Sequence, residues 1–531
     1  MLQFKCSGWP KIRMYSKVLC ETVRGINGVL TYVEADSSNG LPNFSMVGNL
    51  ASSVKEAGDR VRTALKNSNI EIPAKKVTIN IAPADMRKDG SAFDLPIAVA
   101  ILKSLEMIPK SVCELIDEYA FIGELNLSGE IVGVRGMLSM VSGLKEQGIK
   151  GVVVPRENEQ EALVVDDMDI VSVGSLTELI SILESVEKFK KFPRPKFEKI
   201  EEVDNYDLDF SDISGQMFLK RACEVAVAGF HNIIISGSAG TGKTMIAKRI
   251  PTIMPKLSME EAIEITKVYS VAGELKNKTL VTTRPFRNPH HSISVTSLIG
   301  GGMYPRPGEI SLASNGVLFL DELPHFSKMA IETLREPLED KCITVSRLSG
   351  SYTYPANFML ASALNRCPCG FYPDRNKCHC SEVAIERYQR SISKPILERI
   401  DICVESSPIK FSELNSDGGG ERSEVIRKRV EECRKVQKER FKNYKNIKFN
   451  SQMTTKEIKK FCEIGEKEKE YLRKIFSVKK LSARTYHKVL KVARTIADLA
   501  KSDVIKVDHL VEACSYRSLE DKVYHQKEVY D

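Results

Sequence analysis

A glycine-rich octapeptide constrains the fold of this chain more than any other feature. The residues "GSAGTGKT", at 237–244, fit the pattern G-x-x-x-x-G-K-[ST]. An apolar run at 233–235 precedes them, and "MIAKR" follows as the first turns of a predicted helix. Such a loop binds phosphate only between a strand and a helix, because the backbone amides and the helix N-terminus must converge on one anion. The octapeptide therefore predicts an α/β fold in which a parallel sheet carries a phosphate site at its edge.

Two side chains of this loop have predicted tasks in binding ATP. Lys243 would reach the β- and γ-phosphates, and the Thr244 hydroxyl would hold Mg²⁺. The other residues predicted to bind the nucleotide are Gly237, Ser238, Ala239, Gly240, Thr241 and Gly242. The alternative is a glycine-rich turn before an amphipathic helix, and the strand before the loop disfavours it.

Two further apolar runs end in polar residues that suit catalysis. "GVLFLDELPHF" ends a predicted strand with Asp321 and Glu322, which would hold Mg²⁺ and act as general base for the attacking water. "NFMLASALN" ends at Asn365, whose amide would hold that water from the other side. An acidic pair after a strand is often only a turn, and asparagine often ends strands.

Composition limits the class of protein. The 531 residues are 42% hydrophobic and 28% charged, as in soluble globular chains, and suffice for about three or four domains. Lys plus Arg is 78 and Asp plus Glu is 70, and this net charge of +8 permits an acidic partner without requiring one. No apolar run would span a bilayer and "MLQFKCSGWPKIR" lacks a signal-peptide core, so we expect no membrane partner. Thirteen cysteines suit a reducing, cytoplasmic location.

Changes in composition predict the domain order. In the first block, "VLTYVEAD", "KKVTINIAP" and "GVVVP" favour strands, while "VKEAGDRVRTALKNSN" and "DLPIAVAILKSLEMI" favour helices. The charge-dense "EKFKKFPRPKFEKIEE" favours an exposed, semi-extended linker, with a frayed helix end as the alternative. The predicted parts are a tail or upstream start at 1–13, an α+β domain at 14–183, a linker at 184–209, a nucleotide-binding core at 210–408 and a helical domain at 409–531.

These pieces, in this order, resemble AAA+ ATPases, and more narrowly the ComM/YifB family of magnesium-chelatase-like ATPases. The segments that carry the resemblance are "GLPNFSMVGN", "NIAPADMRKDGSAFDLPIA", "GELNLSGEIVGVRG", "RPFRNPHHSIS", "GGGMYPRPGEISLASNGVLFLDELP", "NRCPCGFY", "SKPILERIDICVE" and "LSARTYHKVLKVARTIADLA". The resemblance covers nearly the whole chain from Met14. It implies an N-terminal domain like the Lon protease domain (ribosomal S5-type), an AAA+ core and a C-terminal helical lid.

The resemblance also implies an activity and further site residues. It implies a homo-hexameric ATPase that binds single- and double-stranded DNA, including forks and junctions, and drives branch migration in homologous recombination, notably after natural transformation. Arg399 in "ERID" resembles the arginine finger that reaches a neighbouring subunit's site, and Arg484 in "SARTYHK" resembles the sensor arginine of the lid. Taken without the family, either arginine suits a surface ion pair.

The sequence gives modest support for DNA. "EPLEDKCITVSRLSGSYTYP" predicts a β-hairpin whose tip would present Lys341 and Arg347 to a phosphate backbone. Further candidate contacts are Arg284, Arg287, His290 and His291. The alternative to DNA binding is that these residues serve ordinary packing or subunit contacts. The alternative function is an ATP-driven remodeller of a partner protein, as in magnesium chelatase, although the chain lacks a D-x-S-x-S metal-binding module.

The Lon-like block raises the question of peptidase activity. Lon-type proteases need a serine nucleophile and a lysine base. Ser91 lies one place from the expected nucleophile position, where Ala92 stands. The lysine position carries Met140, and Lys145 is further along. We therefore expect a non-proteolytic domain.

Four cysteines form a candidate metal site in "CPCGFYPDRNKCHC". Cys367, Cys369, Cys378 and Cys380 fall in two close pairs that would surround a structural, tetrahedral Zn²⁺, with His379 as a substitute ligand. The C-x-C spacing is tighter than the usual C-x₂-C. An unmetallated reduced loop is the alternative.

Overall fold

The structure is a computed structural model that describes residues 15–197, 206–275, 278–302, 305–347, 350–408, 420–479 and 482–517. The predicted tail or upstream start at 1–13 lies outside these residues, as does part of the predicted linker, 198–205. The chain divides into two compact units. The described residues of 1–201, 266–281 and 346–352 form the first unit, and those of 202–265, 282–345 and 353–531 form the second.

Strands of the first unit follow the predicted alternation of buried and exposed residues. They are β1 (Tyr15–Arg24), β2 (Asn27–Ser38), β3 (Asn43–Val47), β4 (Lys76–Ala82), β5 (Tyr119–Phe121), β6 (Glu124–Leu125), β7 (Ile131–Val132), β8 (Gly151–Pro155) and β9 (Asp169–Val173). Among the described residues, seven of them form a mixed sheet in the order β3-β4-β2-β1-β5-β8-β9. Strand β8 is buried along its whole length, as expected of a parallel strand covered on both faces.

The first unit also contains helices, of which the apolar spacing predicts those at Ala57–Asn67 and Asp94–Ser104. Their bounds are Ser52–Lys55, Ala57–Asn67, Asp94–Ser104, Lys110–Ile116, Met137–Glu146, Glu159–Ala162, Leu176–Leu183 and Val186–Lys191. The helix Asp94–Ser104 is buried at all but one position, which explains its apolar residues on every side. The α+β character expected of this unit is confirmed.

The first part of the expected linker, 184–209, is not the exposed, semi-extended segment that its composition predicts. It contains the helix Val186–Lys191, whose Phe189 is fully buried with its ring centroid 5.1 Å from that of Tyr119. Beyond the helix, Arg194 pairs with Asp169 at 2.6 Å. The buried Phe189 side chain therefore anchors this charge-dense segment within the first unit.

The second unit contains the predicted parallel sheet. Its strands are β10 (Ile233–Ser236), β11 (Phe286–Arg287), β12 (Gly300–Gly301), β13 (Arg306–Pro307), β14 (Val317–Leu320), β17 (Met359–Leu364) and β18 (Ile402–Glu405). The intervening hairpin of β15 (Cys342–Arg347) and β16 (Gly350–Pro355) begins and ends in this unit, and its strand residues between 346 and 352 are assigned to the first unit. Within the described part of the chain, five strands lie in the order β11-β14-β17-β10-β18, all parallel. Since parallel strands share one carboxyl edge, the residues that follow β10, β14 and β17 meet there.

Helices surround this sheet and make up the C-terminal part. Before the C-terminal part they are Met217–Gly229, Lys243–Arg249, Met259–Ala272, Val295–Ile299, Glu309–Leu312, Lys328–Thr333, Arg335–Asp340, Glu382–Gln389 and Lys394–Leu397. The C-terminal helices are Ser423–Phe441, Thr455–Phe461, Glu466–Lys479, Ala483–Leu499 and Val507–Ser515. None of the described helices is both long enough and apolar enough to cross a bilayer.

Candidate nucleotide site

The loop at 237–244, here the nucleotide loop, connects β10 to the helix Lys243–Arg249. Gly240 and Gly242 have φ angles of 79° and 81°, in the left-handed region that favours glycine. A Cβ at Gly237 would lie 2.0 Å from the Ser406 Oγ, so no side chain fits there. The glycines of the motif are therefore required by backbone geometry and by close packing.

Lys243 lies along the inside of the loop. Its Nζ donates to the carbonyls of Gly237 and Ser238 at 3.0 and 2.8 Å, and to the Asn365 Oδ1 at 3.1 Å. Burial lowers the pKa of Lys243, while Asp321 and Glu322 act in the opposite direction. The pairing of β10 with β17 thus places the predicted phosphate lysine next to the predicted water-binding amide.

Thr244 and Asp321 also meet at this edge. The Thr244 Oγ1 donates to the Asp321 Oδ2 at 2.7 Å, although 77 positions separate them in the chain. The other oxygen of Asp321 accepts from the Glu322 backbone N–H at 3.0 Å. A hydroxyl and a carboxylate at this distance are the hard oxygen donors that suit Mg²⁺, so the residues present fit the expected ion.

Glu322 has neighbours that the sequence interpretation missed. It has a φ of 51°, its side chain is 50% exposed, and its Oε2 lies 3.9 Å from the His291 Nδ1. The His291 ring centroid lies 4.1 Å from that of His290 and 5.8 Å from that of His325. The sequence shows that "RNPHH" contains and follows β11, but only the folded sheet shows that β11 neighbours β14, which Glu322 follows.

Three of the residues proposed as DNA contacts are held by the protein itself. Arg284 pairs with Glu261 at 3.0 Å, with side chains only 8% and 15% exposed, and Arg287 pairs with Glu309 at 2.6 Å. The Lys341 Nζ donates to a backbone carbonyl at 2.9 Å, and burial lowers the pKa of Lys341 to about 8. The prediction that Lys341 lies at the tip of the hairpin is wrong, because it precedes β15 and ends the helix Arg335–Asp340.

Arg399 and Arg484 are engaged by carboxylates within the chain. The Arg399 Nη2 lies 2.5 Å from a carboxylate oxygen of Glu339, and the Arg399 side chain is 14% exposed. Arg484 is 74% exposed and pairs with Glu398. Both arginines therefore need to exchange a partner before they can act on a phosphate.

The first unit gives Ser91 an acidic partner. The Ser91 hydroxyl donates to the Glu124 carboxylate, Met140 is buried, and Lys145 donates to the Asp166 carbonyl at 2.7 Å. No lysine contact is described for the Ser91 hydroxyl among the residues that the structure covers. The assignment of this domain as non-proteolytic stays a prediction.

The four cysteines of 367–380 come together as one cluster. Their Sγ atoms all lie within 4.8 Å of one another. The Cys367 Sγ is 3.4 Å from that of Cys369 and 3.7 Å from that of Cys378. A tetrahedral zinc with Zn–S bonds of about 2.3 Å needs sulfur atoms about 3.8 Å apart. The thiols therefore fit such an ion without a change of fold.

Comparison with known proteins identifies the family of this chain. Family models described as "Magnesium chelatase, subunit ChlI", "Subunit ChlI of Mg-chelatase" and "Magnesium chelatase, subunit ChlI C-terminal" match residues 209–414, 33–158 and 420–517. Competence protein ComM of Haemophilus influenzae is 38% identical, with 93% of this chain and 96% of that protein covered. The uncharacterized protein YifB of Escherichia coli is 39% identical, with 94% and 96% covered.

The Lon-like character of the first unit has weaker support. The archaeal Lon protease of Methanocaldococcus jannaschii is 25% identical over 22% of this chain and 17% of its own length. The three family models and the long relatives together cover residues of both units. This chain belongs to the ComM/YifB family of magnesium-chelatase-like AAA+ ATPases.

Proposed function

We propose that this protein is an ATP-driven motor that acts on DNA as a hexameric branch-migration helicase. The observation that carries the proposal is the hydrogen bond of 2.7 Å between Thr244 and Asp321, beside the contact of 3.1 Å between Lys243 and Asn365. These contacts assemble the groups for phosphate binding and water activation at one sheet edge.

Each residue of the site has a separate part in ATP hydrolysis. The backbone amides of the nucleotide loop and the Lys243 ammonium bind the phosphates and exclude water from them. Thr244 and Asp321 would hold Mg²⁺, which neutralises developing charge when bound. Glu322 orients the attacking water and accepts its proton, and Asn365 holds that water from the other side. Arg399 of a neighbouring copy stabilises charge on the transferring phosphate.

Several observations favour DNA as the substrate. Arg347 on the hairpin is exposed, where a phosphate backbone could reach it, and the net charge of +8 is compatible with such a partner. A relative that matches 93% of this chain is named a competence protein. We propose a competence-related role on that basis. The alternative function, remodelling of a partner protein, is retained as an outcome of the test below.

We also propose that the cysteine cluster holds a structural zinc ion. Four thiolates would complete a tetrahedral shell and leave no open position for catalysis.

ATP hydrolysis by the purified protein tests the motor. We expect forked or four-way-junction DNA to stimulate hydrolysis several-fold, and Lys243→Ala to abolish the basal and stimulated rates. Stimulation by a co-purified protein with no response to DNA would favour the remodeller. Hydrolysis that survives Lys243→Ala would contradict the proposed site.

A further inference from the structure

The cysteine loop, residues 365–381, lies directly against the nucleotide loop. The Ala239 backbone N–H donates to the Gly370 carbonyl at 2.8 Å. The Ser238 hydroxyl donates to the Tyr372 carbonyl at 3.3 Å. The cysteine loop also begins with Asn365, the residue that accepts from Lys243. Three of its residues therefore hold the nucleotide loop from one side.

The same segment is organised around a cysteine. The Gly370 N–H donates to the Cys367 carbonyl at 3.1 Å, and the Tyr372 N–H donates to the Cys367 Sγ at 3.4 Å. The Gly370 and Tyr372 carbonyls, which accept from the nucleotide loop, thus belong to the turn that surrounds the Cys367 thiol. An N–H donor aimed at sulfur stabilises a thiolate, which is the form that binds metal.

Gly370 fixes the distance between the two loops. Its φ is 82°, and a Cβ at this position would lie 3.0 Å from the Ala239 Cβ. A side chain here would strain the turn and push against the nucleotide loop, yet would remove none of the four thiols. The contact between the loops can therefore be altered separately from the cluster.

We infer that a zinc–thiolate centre formed by Cys367, Cys369, Cys378 and Cys380 positions the nucleotide loop, so that loss of the metal weakens ATP binding. The inference rests on the proposed function of the nucleotide site. Four Zn–S bonds would hold the ends of a 14-residue segment together and keep the carbonyls of Gly370 and Tyr372 in place. Without the metal, these carbonyls would be less ordered. Part of the free energy of ATP binding would then be lost to the conformational entropy cost of ordering them.

The test uses the full-length protein, with zinc measured by elemental analysis and nucleotide affinity measured with fluorescent mant-ATP. Wild type should contain one zinc per chain. Cys369→Ser, which changes the most exposed thiol of the four, should lose zinc and bind about tenfold more weakly, the equivalent of one hydrogen bond of about 1.4 kcal/mol. Gly370→Ala should keep zinc but bind more weakly by a similar factor.

Two controls separate the causes. Cys342→Ser changes a half-buried cysteine outside the cluster and should match wild type in both measurements. Lys243→Ala should keep zinc while losing mant-ATP binding. Removal of zinc from wild type with a chelator should weaken binding, and added zinc should restore it, which excludes misfolding of a variant as the explanation.

Each contrary result has a separate meaning. Wild type without zinc, or zinc-free protein with unchanged affinity, would overturn the inference and leave the proposed ATPase intact. Wild type that holds zinc but binds no nucleotide would overturn the proposed function, and the inference would fall with it.

Discussion

At the scale of single residues, neighbouring groups at the nucleotide site have separate tasks. Lys243 contacts the loop that binds phosphate, whereas Glu322 follows β14 with half of its side chain exposed. A change at Lys243 should therefore prevent ATP binding and with it hydrolysis, whereas a change at Glu322 should slow hydrolysis and leave binding intact.

Glu322→Gln should stop hydrolysis without stopping binding. The amide keeps the size of the side chain but accepts no proton, and loss of a general base lowers rates by about 10²–10⁴-fold. Single-turnover hydrolysis and mant-ATP titration measure the two steps. Asp36→Asn, the same loss of one carboxylate at an exposed residue of the first unit, provides a matched control and should behave as wild type. A Glu322→Gln variant with an unchanged rate would show that this residue is not the base.

Glu21→Gln should stabilise the first unit more as the pH rises. Burial raises the pKa of Glu21 to about 8, with Glu146 acting in the same direction, and neither Glu21 oxygen has a hydrogen-bond partner among the described residues. The folded state keeps the proton while the unfolded state loses it above its pKa of about 4.3, so wild type loses stability between that pH and pH 8.

The measurement for Glu21→Gln is urea unfolding followed by circular dichroism at pH 5 and pH 8. The gain over wild type should be small at pH 5 and roughly 2–4 kcal/mol at pH 8, since one pKa unit corresponds to about 1.4 kcal/mol. A gain that does not change with pH would contradict the assignment of a protonated carboxyl.

At the scale of elements, a buried polar network joins the parallel sheet to the C-terminal helix Ala483–Leu499. The His231 ring contacts the Asp401 Oδ2 at 3.1 Å and the Thr495 Oγ1 at 2.9 Å. The Lys488 Nζ lies 3.4 Å from the other oxygen of Asp401. The network therefore links the residues before β10 and β18 with a helix more than 80 residues away in the chain.

Asp401→Asn should destabilise the second unit by about 3–5 kcal/mol, because it leaves the Lys488 ammonium, on a side chain only 13% exposed, without a full counter-charge. Burial alone would raise the pKa of Asp401, but Lys488 and His231 hold it well below its usual range. The stabilisation by this carboxylate is therefore present above pH 4 and is lost only as the pH falls further.

Denaturant unfolding at pH 5, 7 and 8 tests this change, and the difference between Asp401→Asn and wild type should be the same at all three. Asp503→Asn, a polar change near the end of the same helix, is the control. A difference that grows between pH 5 and pH 8 would show that Asp401 titrates in that range.

At the scale of the whole molecule, the proposed activity requires more than one copy of the chain. Arg399 is paired with Glu339 inside its own chain, and an arginine finger acts on a neighbour. Assembly into a ring would exchange the Glu339 carboxylate for the phosphate of an adjacent site, so hydrolysis should depend on protein concentration.

Arg399→Ala should bind mant-ATP as wild type does but hydrolyse ATP about 10³-fold more slowly or worse. Mixing Arg399→Ala with Lys243→Ala should recover part of the activity, because some neighbours then combine an intact site with an intact finger. Light scattering with ATP reports the size of the assembly. A mixture no more active than its two components would contradict action between subunits.

The sequence alone determined the elements of the nucleotide site. The pattern of "GSAGTGKT" and the acidic pair after an apolar run are local features, because they depend on backbone conformation and on one strand followed by one turn. The helices and strands quoted for the first unit could be predicted for the same reason, because the periodicity of each one lies within its own segment. The four thiols were found from their spacing.

Only the tertiary structure decided which charged residues are free to act. Arg284 is of a residue type that suits DNA contacts, but its partner Glu261 comes from another element, and the choice of that partner depends on a distance that no local pattern contains. The same reason applies to the contact of the Gly370 carbonyl with Ala239, which joins residues 131 positions apart. Strand order in the sheet, and with it the placement of His291 beside Glu322, is a property of the folded chain.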